Sequence, residues 1–417
     1  MNNRNRVILG CASTGAKFTP LNHRKTGDKL LDEIYTGVDI PVRKDDIALE
    51  AKNLYEIGVR YYHYHARNFF SREQSTDNTV YQAVSRLVQS KCPDMLISFG
   101  ASRNGSEIQE SIRRTGEWER VSQCAIPVHL GGAHFVTIQA AIELQIIRDL
   151  ERRFKNLTQD LVEDKKFAEA IRSYIPSRDV EEVTINSNST ARGSNYGASS
   201  AHVQFETYRQ ALEWRNRMHL LHEVEWVQFV RSYAMTRFAI EHPWLQLGGS
   251  GQLNITLLFG FSPKLPFPAN YAEFKQVVNA AKRLEFDIGK PEKRRNITIS
   301  AGAAVIPDQA AENFKEVDVG PFAGEKMCAL RRLAVYAAQP DSGVDIFRFG
   351  MEDTPYEVDG QGQINRTTNV RLGQIALAEL QRNGVEAELD AERISDRLGL
   401  TSVCDAYLET LKTLAIA

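Results

Sequence analysis

The sequence lacks most features that would mark an unusual protein. Its five cysteines, Cys11, Cys92, Cys124, Cys328 and Cys404, are an odd number, widely scattered, with no C-x-x-C pair. That argues against a zinc knuckle or dithiol redox motif and for reduced, mostly buried thiols. No apolar run approaches the ~20 residues needed to cross a bilayer, so no membrane partner is expected. The opening MNNRNRVILGCA sets positive charge before an apolar run, but that run is shorter than the ~7 to 15 residues of a secretory core and leads straight into a strand pattern. The expected location is cytoplasmic. Charge of one sign is lacking too: 51 Lys and Arg against 53 Asp and Glu leave a formal charge of -2. Such a chain has no field to draw nucleic acid. There is no solenoid repeat, no coiled coil and no glycine-rich phosphate turn after the first strand-like run.

What remains is an ordinary globular composition with a regular pattern. Short β-rich runs alternate with helical stretches, the signature of a parallel sheet with crossover helices. Eight runs stand out: Arg6 to Ala12, Arg60 to Ala66, Met95 to Phe99, Arg120 to Pro127, Val224 to Val230, Asn254 to Phe259, Asn296 to Ser300 and Val344 to Phe349. Helices fall between them, as over Lys44 to Ile57, where Ile47, Ala51, Leu54 and Ile57 recur at helical spacing behind Asp45 and Asp46. The count predicts an α/β fold, a (β/α)8 TIM barrel forming one domain over residues 1–417. Residues 136–222 read as a large, mostly helical insertion after the fourth strand. Ile138 to Leu157, Val162 to Ser173 and Phe205 to Leu221 carry helical patterns around a Gly/Ser/Asn-rich middle, suiting a lid or an oligomer contact.

Two short motifs carry chemistry. In His63-Tyr64-His65 the histidines are two apart on a strand and share a face, which makes half a metal site. A lone H-x-H is ordinarily a pair of hydrogen-bonded histidines, so a third ligand is required. The last strand runs into Arg348-Phe349-Gly350-Met351-Glu352-Asp353. In a closed barrel the eighth strand lies beside the first, one strand from the second, and catalytic groups gather at the strands' C-terminal ends. His63, His65 and Glu352 then form a set of two imidazoles and a carboxylate, suited to a catalytic zinc and equally to Fe(II) or another divalent ion. Asp353 is the candidate general base, and Arg348 can clamp a substrate carboxylate.

Together with TGAKFTP (Thr14 to Pro20) and IPVRKDDIALEA (Ile40 to Ala51), the runs GVRYYHYHARN (Gly58 to Asn68) and FRFGMEDTPY (Phe347 to Tyr356) resemble the β-keto acid cleavage enzymes, the family of the 3-keto-5-aminohexanoate cleavage enzyme. The resemblance covers about Arg6 to Phe135 and Val224 to Leu398. It implies a zinc-dependent barrel that converts a β-keto acid and acetyl-CoA, as co-substrate, into acetoacetate and a new acyl-CoA, in a homodimer or homotetramer. It carries the metal ligands onto His63, His65 and Glu352, the catalytic aspartate onto Asp353, the substrate arginine onto Arg348 and a third-strand serine onto Ser98. The chain departs from the family at Lys17, where members often have glutamate, and in the fourth-strand segment with His129 and His134. Two other readings stand beside it: a metal-dependent hydrolase of an amide or lactone, and a non-catalytic metal-binding paralogue.

Overall fold

The computed structural model describes residues 6–13, 27–35, 40–70, 75, 77–99, 135–138, 221–226, 252–260, 267–283 and 296–398. The chain is α/β, with one central sheet of parallel strands. β1 is Arg6–Ala12, β2 Val59–Tyr64, β3 Leu96–Phe99, β4 Phe135–Ile138, β5 Leu221–Trp226, β6 Gln252–Phe259, β7 Asn296–Ala303 and β8 Ile346–Phe349. Each pairs in parallel with the next, and β8 also pairs with β1, so that the pairings return to the first strand. A two-residue strand, Glu386–Ala387, lies along the start of β1.

Alternation along the strands explains both sides of the sheet. Val7, Leu9 and Cys11 of β1, Tyr62 and Tyr64 of β2, and Phe347 and Phe349 of β8 enter one large apolar cluster with the helices. The alternate residues Ile8, Tyr61, Leu96 and Ile346 form a second cluster, joined by Ile394 and Leu398. Both sides are buried, as expected of a helix-covered parallel sheet. Helix α1 is Lys29–Tyr35 and α2 Lys44–Glu56, the latter burying Ile47, Ala48, Ala51 and Leu54. α3, Asn78–Lys91, is capped by Asp77, whose side chain accepts from Thr79 N. α4 is Tyr271–Arg283 and α5 Ala329–Ala338. Thr368 caps α6, Asn369–Arg382, and α7, Ala391–Leu398, carries Ile394 and Leu398.

The fourth strand differs from the expectation. Phe135–Ile138 takes the place between β3 and β5, whereas Arg120 to Pro127 lies outside the described residues. The observed run, FVTI, holds three β-branched residues in four, while the expected one ends in proline, which cannot donate to a ladder. The fifth strand begins earlier than expected, at Leu221. The expected insertion over residues 136–222 therefore includes strand at both ends, and its residues 139–220 lie outside the described part.

The tightest backbone passage follows β8. Gly350 has φ +140, and a Cβ there would come within 2.7 Å of the Ala12 carbonyl carbon and closer still to its oxygen. Gly384, at φ +80, faces open space. Gly384→Ala should therefore cost only about 1–2 kcal/mol of left-handed strain, and Gly350→Ala about 3 kcal/mol or more, because backbone must move as well. Denaturant midpoints of the two variants compare them. Equal losses would show that the Gly350–Ala12 approach is not a constraint.

Candidate metal centre

β2 and the turn after β8 supply the site. His63 and the adjoining His65 project to one side of β2 and are each 1% exposed, while Tyr64 turns away to stack on Tyr81. Beyond β8, Glu352 N donates to Ala12 O (3.1 Å), Thr354 Oγ1 to Ala303 O (2.6 Å) and Tyr356 Oη to Val305 O (2.9 Å). The turn is thus tied to both neighbouring strands, and Glu352 is carried back over the end of β1.

His63 Nε2 lies 3.3 Å from His65 Nε2 and 3.3 Å from Glu352 Oε2, and His65 Nε2 lies 3.4 Å from Glu352 Oε1. A tetrahedral ion with bonds of ~2.0–2.1 Å separates its ligand atoms by about 3.3–3.4 Å, the spacing found between the two imidazole nitrogens and between each nitrogen and one oxygen of Glu352. Among the described residues this is the one group of three metal-ligating side chains with ligand atoms within 4.8 Å of one another. The Glu352 Oε2 atom is buried and accepts no hydrogen bond. Lone pairs facing one another in a dry site need a cation between them, and two imidazoles with a carboxylate form a donor set that fits a divalent ion. Burial by itself raises the Glu352 carboxyl. The adjoining His63 and His65 outweigh burial and hold it well below the usual carboxylate range.

Ser98, fully buried on β3, lies 2.9 Å from His63 Nδ1. With the proton on Nδ1 donated to Ser98, Nε2 keeps its lone pair toward the centre, as an orienting outer partner should arrange. Arg348 and Asp353 are both 0% exposed and form a two-pronged pair: Nε to Oδ2 at 2.7 Å and Nη2 to Oδ1 at 3.2 Å. Arg348 Nη2 also stands 3.7 Å from Glu352 Oε1. Cys11 is close by, but burial, then the carboxylates of Glu50 and Asp353, push its thiol well up and keep it protonated. The expected site residues His63, His65, Glu352, Asp353, Arg348 and Ser98 all come together. Lys17, His129 and His134 lie outside the described residues.

Sequence reasoning missed a group just outside the ligands: Ser13, Glu50, Tyr62 and Asn369. Glu50 of α2 accepts from Ser13 Oγ, from Tyr62 Oη (3.2 Å) and from Asn369 Nδ2 (3.0 Å), and Asn369 Oδ1 accepts from Met351 N (2.8 Å). The signal was present. Glu50 falls on the apolar stripe of α2, three residues after Ile47 and four before Leu54, where a charge is out of place.

Parallel strands with a buried two-histidine, one-carboxylate set at their C-terminal ends define an α/β protein with a metal-type centre. The model of the beta-keto acid cleavage enzyme family matches residues 36–174 of the chain, a stretch that includes both histidines and Ser98. No curated protein matches it. Among solved structures, it is similar to a binary complex of ObcA with oxaloacetate (14% identity, TM-score 0.49, 86% of this chain and 67% of that one). It is also similar to a ternary complex of ObcA with a C4-CoA adduct and oxalate (14%, 0.46, 87% and 67%) and to apo ObcA (13%, 0.49, 86% and 65%). The chain spans about two thirds of the length of those proteins.

Removing the Ser98 hydroxyl leaves His63 free to turn or to change tautomer. Ser98→Ala should weaken divalent-metal binding about 10- to 100-fold without unfolding the protein, as read by competition with a chromogenic chelator. Unchanged affinity would rule out the orienting role.

Proposed function

We propose that the protein is a zinc-dependent β-keto acid cleavage enzyme, an acyltransferase built on a (β/α)8 barrel. It would convert a β-keto acid and acetyl-CoA into acetoacetate and a new acyl-CoA. The observation that carries this reading is the triangle of His63, His65 and Glu352 beside the buried Arg348–Asp353 pair, in a chain whose residues 36–174 match the family's model. The ring of strand pairings supports the barrel, and buried free thiols at Cys11, Cys92 and Cys328 suit a cytoplasmic setting. In the overall exchange, the bond between the keto carbon and the carboxymethyl carbon breaks. The carboxymethyl group joins the acetyl carbon, and the CoA thiolate passes to the acyl group left behind.

His63, His65 and Glu352 would hold the zinc ion, which when bound would supply Lewis-acid polarisation of the keto carbonyl. The other work falls to the protein. Arg348 answers the substrate carboxylate with a planar guanidinium suited to two-pronged contact. Asp353, fixed by the same guanidinium, takes and returns the proton that moves as the carbon–carbon bond is remade. Ser98 keeps the His63 ring oriented. Charge also favours an anion: neutral histidines with Glu352, Asp353 and Arg348 carry one net negative charge, a divalent ion makes it one positive, and a monoanionic β-keto acid balances it.

His63→Ala and Glu352→Ala should abolish metal retention, measured as zinc per protein after dialysis. Asp353→Asn should keep the metal and lose about 10²- to 10⁴-fold in turnover; retained activity there would remove its assignment as base. A panel of β-keto acids with acetyl-CoA, read by the thioester formed, should give new acyl-CoA. Turnover without any CoA species would favour a metal-dependent hydrolase, and a wild-type protein holding under about a tenth of an equivalent of zinc would favour a non-catalytic paralogue.

A further inference from the structure

Among the described residues, Glu50 is a carboxylate without a cation in its hydrogen-bonding shell, set among three donors from three parts of the fold. Ser13 ends β1, Tyr62 precedes His63 on β2, and Asn369 opens α6. Ser13 and Tyr62 lead to the histidine arm of the centre, Asn369 to the glutamate arm. Ser13 N donates to His63 O (2.8 Å), fixing the backbone of the first histidine. Asn369 Oδ1 holds Met351 N, the residue before Glu352, while Glu352 N is held by Ala12, the residue before Ser13. Asn369 Nδ2 also reaches Ser13 O and Oγ, both at 3.4 Å. From these connections we infer that Glu50 is a positioning residue that sets the distance between the histidine arm and the glutamate arm of the metal centre. Resting on the metal reading above, this role is distinct from ligation, since Glu50 lies on the helix side of the sheet with Tyr62, away from the imidazoles.

The chemistry of the shell calls for a carboxylate. Its Oε1 receives Ser13 and Tyr62, and its Oε2 receives Asn369, so both oxygens must accept. Glutamine has one accepting oxygen and an NH2 that can only donate. Its NH2 then either meets the Asn369 NH2, donor against donor, or faces Ser13 and Tyr62, whose hydroxyls must turn round to accept. A plain packing anchor would not need this arrangement, because an apolar residue on the stripe of α2 would anchor the helix at lower cost. Burial raises the Glu50 carboxyl, with the hydrogen bonds from Ser13, Asn369 and Tyr62 opposing it. A group with a raised folded pKa contributes stability at low pH that is lost as pH rises through that value. At neutral pH, replacing it by a neutral isostere therefore removes an ionisation cost, and metal binding can be read separately from stability.

The experiment compares wild-type protein with Glu50→Gln. Zinc affinity is measured by chelator competition, the visible spectrum of the Co(II)-loaded protein reports ligand geometry, and melting of the metal-free form reports the fold. Expected are a zinc affinity at least about 10-fold weaker and a displaced Co(II) spectrum, with metal-free melting close to wild type. Wild-type affinity and spectrum in a folded Glu50→Gln overturn the inference while leaving the metal centre standing. A wild-type protein that binds neither ion overturns both together. If Glu50→Gln does not fold, Ser13→Ala removes one donor with little change of volume. A several-fold loss of zinc affinity in that variant supports the role, and unchanged affinity overturns it.

Discussion

Everything in the centre depends on how little β1 puts between its neighbours. The histidines stand on β2 and the glutamate follows β8, and β1 pairs with both. Two strand spacings of about 4.8 Å separate the arms, so imidazole and carboxylate meet only if they pass over the strand between. β1 has Gly10 and Ala12 there. A Cβ on Gly10 would lie 2.9 Å from the Tyr61 ring and 3.0 Å from Ile346. At the strand end, Gly350 rides directly on the Ala12 carbonyl, which also accepts from Glu352. A larger side chain along this face of β1 would part the ligands before it touched any of them.

That geometry concentrates charge where water cannot screen it. Arg348, Asp353, Glu352 and both histidines are each at most 3% exposed, and desolvating such groups costs several kcal/mol apiece unless partners are exact in number and placement. Arg348 is the main compensator, gripping Asp353 with two donors and standing near Glu352. A packed apolar core at the same place would be cheaper. The expense makes sense when the charges are there for a ligand, as buried charged clusters at strand ends commonly are.

Much of this was legible in the sequence because two simple periodicities carry it. β1 agrees residue for residue with the expected Arg6 to Ala12, and the period of two placed His63 and His65 on one side. Glu352 followed from the rule that the last strand of a ring lies beside the first. What escaped has a physical reason in each case. The fourth strand is four residues long, too short to outweigh a rival apolar run. The grip of Arg348 on Asp353 arises from the turn at Gly350, whose left-handed backbone no periodicity encodes. Ser98 came from resemblance alone, since a serine on a strand gives no sign of the ring it faces. Glu50 left a trace, a charge on an apolar stripe, but its meaning lies in donors from Ser13 and Asn369, 37 and 319 positions away.

The Arg348–Asp353 pair also bears on which chemistry the proposed centre favours. Both Asp353 oxygens are held by the guanidinium, which fixes the direction in which the carboxylate points. Under the proposed function, a substrate carboxylate arriving at Arg348 would compete for the same donors and loosen Asp353 as it binds. Neutral water has no charge with which to compete. His63, His65 and Glu352 alone would serve hydrolysis as well as acyl transfer, but with Asp353 and Arg348 in the proposed roles an anionic substrate would free the base and water would not. Under the proposed function the arrangement would favour reaction on a bound keto acid over idle hydrolysis, with Arg348 serving both recognition and the timing of proton transfer.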